Sequence, residues 1–161
     1  NVCKYCKAFG AKVIVYDPYK KVQDKQFKQS KSLESLVKDA DVISLHAHVT
    51  QETKEIFNKN IFGLFKKNCI LVNTSRGELV NEKDLLNHLK KNKLFKYATD
   101  VISNETKNKR NNVLINYYKK NKNTNQLIIT PHIGGMTNDA QYLAYNKAVD
   151  LLNISIKKIL Y

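Results

Sequence analysis

No stretch of this sequence is apolar for long enough to cross a bilayer as a helix, and no charged-then-apolar leader opens it. Its first residue is Asn1 rather than Met, so a signal upstream of it lies beyond this reading, and a cytoplasmic setting is the default expectation. Cysteine is scarce. Three thiols cannot close a full disulfide set, and beside the Cys3–Cys6 C-x-x-C pair only Cys69 remains, which excludes a four-cysteine zinc site and leaves no metal expected. The pair falls in a segment that reads as helix, with Val2, Cys3, Cys6 and Phe9 along one apolar face, which favours buried packing over a redox role. Acidic residues are also few, 14 against 28 Lys and Arg, giving a formal net charge of +14. Such a charge suits a polyanionic partner. The lysines are nevertheless dispersed, in small clusters such as Lys119–Lys120 and Lys157–Lys158, and there is no stripe of interleaved aromatic and basic residues on which bases stack. The charge therefore reads as a solvated surface, and nucleic acid is not the expected partner.

Length and pattern say what is there. At 161 residues the chain supports one packed core, and it carries no internal repeat. Short apolar runs alternate with helical patterns, the signature of parallel βαβ units. The opening helix runs to about Phe9 and stops at Gly10, a residue suited to a left-handed C-terminal cap. Val13–Tyr16 reads as a strand, and a helix then starts at Ser32, with Leu33, Leu36, Val37 and Ala40 on one face. Val42–Leu45 reads as the next strand, followed by short helical pieces at Glu52–Phe57 and Ile61–Phe65. Cys69–Val72 is an unbroken apolar run, as in a strand covered on both faces. Asn81 caps a helix that turns Leu85, Leu86 and Leu89 inward, and Tyr97–Thr99 is a short strand. Ser103–Gln126, rich in Asn and Lys, reads as a long loop with a helical turn around Val113–Tyr118. Leu127–Ile129 is the last strand, and Asp139–Leu160 a long amphipathic helix through Ala140, Leu143, Ala144, Ala148, Leu151, Leu152 and Ile156.

Polar residues collect just beyond the C-terminal ends of the apolar runs: Asp17, His46, Thr74–Ser75–Arg76, Asp100 and His132. In open parallel α/β sheets, ligands bind in the crevice outside those strand ends. A carboxylate at Asp17 suits the two ribose hydroxyls of an adenosine and repels a 2′-phosphate, which points to NAD rather than NADP; a turn aspartate before Pro18 is the plainer alternative. The Arg76 guanidinium offers a planar fork for a carboxylate. His132 paired with Glu105 would hold a proton near neutrality and deliver it to a developing alkoxide, although spacing along the chain does not show that the two meet.

Together these segments resemble the D-2-hydroxyacid dehydrogenases. AFGAKVIVYDPY is similar to that family's helix end, second strand and ribose-binding aspartate; DADVISLHAHVTQETKEIFN to its H-V-P-L-T-x-E-T stretch; and LVNTSRGELVNEKDL to the strand and loop that carry its arginine. ATDVISNE resembles A-L-D-V-F-x-x-E, and ITPHIGGMTNDAQ resembles T-P-H-I-G-G-x-T-x-E-A-Q. The resemblance implies that Arg76, Glu105 and His132 are catalytic: Arg76 binds the substrate carboxylate, His132 is the acid/base, and Glu105 tunes it. It implies that Asp17 binds the adenosine ribose, that Asp100 contacts the nicotinamide end, and that Ala47, Thr53, Thr74 and Ser75, with Arg76 and His132, line the cofactor cleft. Gly134 and Gly135 would let the chain pass close to NAD. The implied substrate is a small 2-hydroxy or 2-keto acid. The P-H-I-G-G-x-T-x-x-A-Q stretch leans toward the family's 3-phosphoglycerate dehydrogenases, which oxidise 3-phosphoglycerate to 3-phosphohydroxypyruvate in serine biosynthesis.

The departures set further expectations. The fold implied is a Rossmann-type doubly wound parallel α/β sheet that is incomplete, with residues 1–161 a partial NAD-binding domain lacking its first strand and G-x-G-x-x-G loop, and with no substrate domain. As 161 residues alone it is expected to bind NAD weakly and not to turn over, while the longer protein is expected to be a homo-oligomer. His48 stands where the family has Pro, Lys96 and Tyr97 replace small residues, His88 replaces Ala on a packed helix, and Thr106 replaces Pro. The alternatives to an active enzyme are a corepressor-like, NAD-sensing binding module or a truncated inactive relative. Retention of Arg76, Glu105 and His132 together argues against decay.

Overall fold

The computed structural model of the chain describes residues 1–105, 111–121 and 124–160. Four strands form its centre: β3 (Val42–Leu45), β4 (Ile70–Asn73), β5 (Lys96–Thr99) and β6 (Leu127–Ile129), all parallel and paired in the order β3-β4-β5-β6. This is the Rossmann-type parallel α/β arrangement that the alternating pattern predicts. A separate parallel pair, β1 (Ile14–Val15) with β2 (Lys28–Gln29), precedes it. The Val13–Tyr16 strand is thus present in shortened form, and its partner β2 is a piece the apolar runs do not reveal.

The helices follow their caps. Gly10 has φ +82 after α1 (Val2–Ala8), as its left-handed role requires. The Ser32 hydroxyl accepts the Ser35 N–H at 3.1 Å to open α2 (Leu33–Asp39). The Asn81 side-chain oxygen accepts the Asp84 N–H at 3.0 Å to open α4 (Glu82–Lys91). Helix α3 (Lys59–Phe62) overlaps the anticipated Ile61–Phe65 piece only at Ile61 and Phe62, starting two residues earlier, whereas Glu52–Phe57 is a run of turns ending in a bridge from Phe57 to Val80 rather than a helix. The part of the anticipated loop at Val113–Lys120 is a full helix, α5, capped by Asn112, whose side-chain oxygen accepts the Leu114 and Ile115 N–H groups. The stretches of that loop at 106–110 and 122–123, with Thr106, lie outside the described residues. Helix α6 (Asn138–Leu160) closes the chain.

The core lies between the β3–β6 sheet and α2, α4 and α5, built on Val37, Ile43, Leu71, Leu85, Leu89, Phe95, Tyr97 and Leu114. Alternate residues of β4 point to opposite faces, Leu71 and Asn73 buried and Ile70 and Val72 half-buried, which accounts for its continuous apolar run. Close packing survives the bulky replacements. Tyr97 is fully enclosed, its hydroxyl takes a long 3.4 Å bond from the Asn73 amide, and burial pushes its ionisation up to about 12. His88 is accommodated among Phe62, Phe65 and Phe95, with ring centroids 5.5, 6.4 and 4.7 Å away, and its buried Nε2 finds no hydrogen-bond partner. Lys96 keeps its side chain exposed.

Helix α1 corrects one expectation. None of its residues is buried: Cys6 is exposed, Cys3 is half-buried, and Phe9 is 91% exposed. Periodicity identified an apolar face but not a neighbour to cover it. Among the described residues no buried side chain precedes Leu33. The apolar residues of α6, including Leu143, Leu151, Leu152 and Ile156, are likewise exposed. No helix among the described residues is long and apolar enough to cross a membrane.

Candidate functional site

Strand register creates the site. Leu45, Asn73, Thr99 and Ile129 lie side by side across β3–β6, so the residues that follow them emerge along one edge of the sheet. His46, Thr74, Asp100 and Thr130 come next in the chain, and this edge is where parallel sheets hold ligands.

The β4 end is held by Asn73, fully buried, whose amide donates to the Arg76 carbonyl at 2.9 Å while its oxygen accepts the Ser75 N–H at 3.0 Å. The Ser75 hydroxyl donates to the Leu45 carbonyl at 2.7 Å, tying this loop to the end of β3. Ser75 is therefore half-buried and fastened, while Thr74 and Arg76 stay exposed. One Arg76 nitrogen, Nη1, donates to the Ser75 carbonyl at 2.7 Å, fixing the guanidinium over its own loop. Gly77 follows immediately, and its glycine identity is a necessity. A Cβ there would stand 2.0 Å from the Ile102 carbonyl carbon and 2.2 Å from the Ser103 nitrogen, both backbone atoms. The Arg76 loop and the loop after β5 thus touch main chain to main chain.

His132 and Glu105 meet. The His132 Nδ1 lies 2.8 Å from Glu105 Oε2, with side chains 45% and 22% exposed. His132 has φ 58, a left-handed backbone conformation uncommon for a residue with a Cβ. Asp100 accounts for how that conformation is held. Its carboxylate is buried; Oδ1 accepts the Ile133 N–H at 3.0 Å and the Thr130 hydroxyl, and Oδ2 accepts the Gly134 N–H at 2.8 Å. Burial pushes the Asp100 carboxyl up, but the hydrogen bonds from Thr130, Gly134 and Ile133 outweigh it and hold the group below the usual carboxylate range. Asp100 is therefore the anchor of the His132 loop. That job was not readable in the sequence, because it joins residues 33 and 34 positions apart. Gly134 packs against this anchor, with a Cβ there meeting Asp100 Oδ2 at 3.1 Å, while Gly135 faces open space.

Arg76, Glu105 and His132 line one cavity of about 380 Å³, together with Gly77, Glu78, Val101, Ile102 and Asn104. Ala47 and Thr53 are not among the residues that line this cavity. Ala47 is exposed after β3, and the Thr53 hydroxyl donates to the His48 carbonyl at 2.6 Å while accepting the Thr50 N–H at 2.7 Å, so Thr53 shapes the 48–53 turn. The Ser44 hydroxyl meets His46 Nε2 at 2.9 Å. Asp17 stands at the end of β1. Its Oδ1 accepts the Tyr19 and Lys20 N–H groups, each at 2.9 Å, and these two bonds hold its carboxyl below the usual range. The turn role and the ribose role are thus compatible, since the bonds fall on one oxygen. Among the described residues no group of three or more His, Cys, Asp or Glu could hold a metal ion.

Comparison with known proteins adds an independent line. Residues 1–134 match the family described as D-isomer specific 2-hydroxyacid dehydrogenase, NAD binding domain. The D-3-phosphoglycerate dehydrogenase of Methanocaldococcus jannaschii is 36% identical over 166 residues, covering 99% of this chain and 29% of its own. The hydroxypyruvate reductase of Thermotoga maritima is 34% identical over 141 residues, covering 88% of this chain and 44% of its own. The chain therefore spans less than half the length of these two curated relatives. Among solved structures, the D-lactate dehydrogenase of Aquifex aeolicus, complexed with NAD and lactic acid, superposes with a TM-score of 0.74 at 28% identity, over 98% of this chain and 50% of that one.

Proposed function

The chain belongs to the D-isomer specific 2-hydroxyacid dehydrogenase family through its NAD-binding domain, and on that premise we propose that the protein it forms part of interconverts a small D-2-hydroxy acid and the corresponding 2-keto acid with NAD. The observation that carries this reading is the cavity where Arg76, Glu105 and His132 converge. The residues present fit the cofactor: a carboxylate with a free oxygen ends β1, side-chain-free glycines flank the sheet edge, and the strand ends form a parallel-sheet crevice.

When bound, NAD supplies the two-electron exchange at the substrate's C2. The chain's own groups do the rest. Arg76 grips the substrate carboxylate through its guanidinium fork and thereby orients C2. With His132 Nδ1 committed to Glu105, Nε2 is the nitrogen that takes the hydroxyl proton during oxidation and returns one to the carbonyl oxygen during reduction. Glu105 fixes the ring's tautomer and orientation. Asp17 accepts ribose hydroxyls, Asp100 holds the His132 loop against the nicotinamide end, and Ala47, Thr53, Thr74 and Ser75 complete the cofactor side of the rim.

Among substrates, 3-phosphoglycerate is the candidate we put first, on the PHIGGMTNDAQ stretch and the match of 99% of this chain to part of a 3-phosphoglycerate dehydrogenase. Arg76 is the one lysine or arginine among the described residues lining the cavity, and it sits beside Glu78 and Glu105, so a substrate phosphate would take its cations from elsewhere. A cytoplasmic homo-oligomer whose substrate domain lies outside residues 1–161 belongs to the same reading. Steady-state turnover of the full-length protein with NAD and 3-phosphoglycerate, lactate and glycerate is the test. NAD-linked turnover that Arg76→Ala abolishes supports the reading. Absence of turnover on every acid, or an unaffected Arg76→Ala enzyme, refutes it.

A further inference from the structure

Two carboxylates beside the cavity have no part in the mechanism above, and both are spent on the loop that carries Glu105. Glu82, the first residue of α4, is half-buried. Its Oε1 accepts the Ser103 N–H at 2.7 Å, and its Oε2 accepts the Asn112 side-chain amide at 2.6 Å. Those partners bracket the segment 103–112. Glu105 sits two residues beyond the first of them, and the second caps α5. Glu78 Oε1 accepts the Asn104 N–H at 3.3 Å, and Asn104 takes a left-handed φ of 54 at that contact. Both carboxylates belong to the segment that starts at Arg76, and just before them Gly77 lies against the Ile102–Ser103 backbone.

We infer that Glu82, assisted by Glu78, is a positioning residue that sets Glu105 against His132 and holds that pair at a fixed offset from Arg76. The inference rests on the dehydrogenase reading for its kinetic consequence but not for its geometry. A carboxylate is required at position 82 because both of its partners are donors. A glutamine could accept from one and would have to aim its NH₂ at the other, leaving a half-buried N–H unsatisfied. Burial raises the Glu82 carboxyl above its usual range, while the Ser103 and Asn112 bonds pull it back toward the charged form.

The test is Glu82→Gln in the full-length protein, read in three ways. We expect kcat to fall roughly 10- to 100-fold, the scale that follows a displacement of about 1 Å in a catalytic group. KM for NAD should stay within about twofold, because Asp17 and the rim are untouched. The long-range ¹⁵N–¹H spectrum should show His132 leaving its single Nδ1-bonded tautomer. An active wild type with an unchanged kcat and an unchanged His132 spectrum in Glu82→Gln would overturn the inference. A wild type without turnover whose His132 spectrum still changes in Glu82→Gln would refute the dehydrogenase reading and leave the positioning role standing. Should Glu82→Gln fail to fold, Asn112→Ala removes one of the two anchors while Ser103 stays bonded, and the same readouts decide.

Discussion

The two ends of the proposed cofactor cleft are built in opposite ways. At the ends of β4, β5 and β6 every loop is fastened: Asn73 holds the Arg76 loop, Asp100 holds the His132 loop, and Glu82 holds the Glu105 loop, each through a side chain that is wholly or partly buried. Beyond β1, Asp17 follows a two-residue strand by two positions, in a stretch where no described residue before Leu33 is buried. The difference is one of packing. Where a sheet end rests on a core, polar side chains can be enclosed and used to set loop geometry; where no core underlies it, local turn bonds such as those from Tyr19 and Lys20 have to serve. Proton transfer and carboxylate orientation need tight placement, whereas gripping a ribose tolerates more freedom.

The contrast breaks first at Gly77. With a Cβ at 2.0 Å from backbone, Gly77→Ala forces two loops apart, and we expect a loss of about 3 kcal/mol, seen as a fall in Tm of roughly 10 °C in a thermal melt. A variant that melts within a degree or two of the wild type would mean that the loops do not touch as described.

His88 sharpens the comparison inside the core. Burial holds this imidazole below its ordinary value, so the folded chain favours the neutral ring. Its contribution is intact above the unfolded value of about 6.5 and is lost as pH falls through it toward the folded value. Urea midpoints at pH 7.5 and pH 5 should therefore differ more in the wild type than in His88→Leu, and equal differences would remove His88 as a source of acid sensitivity.

Asp17 is the smallest test, at the thin end. Asp17→Asn keeps the oxygen that the turn uses, so stability should move by less than about 0.5 kcal/mol. NAD affinity should nonetheless fall about tenfold, and discrimination against NADP should relax, because the charge that repels a 2′-phosphate is gone. Calorimetric titration of both cofactors measures this, and an unchanged preference would take the ribose role away from Asp17.

These regions also differ in how much the sequence disclosed. The β3–β6 strands were legible as apolar runs and the caps at Ser32 and Asn81 as single polar residues before apolar periods, because each is a local effect. Helix α5 reads only as a helical turn around Val113–Tyr118 within a loop, since its Asn- and Lys-rich surroundings mask an eight-residue segment in which Leu114 and Tyr117 pack inward. The periodicity of α1 reports that an apolar face exists and not what covers it, and none of its residues is buried. At the site, residue types and family motifs pointed to Arg76, Glu105 and His132, yet the anchors Asn73, Asp100 and Glu82 work through contacts whose partners are fixed only by the folded backbone, and Gly77 is explained by a neighbour 25 positions away.

The central claim is that His132 and Glu105 act as one unit, and a double-mutant cycle in the full-length enzyme measures it directly. Turnover would be compared for the wild type, Glu105→Gln, His132→Gln and the double variant. If the 2.8 Å pair is the acid/base, His132→Gln alone costs about 10²- to 10⁴-fold in kcat, and adding Glu105→Gln costs almost nothing more. Losses that simply multiply would mean that the two residues act independently, and the account built on their pairing would be wrong.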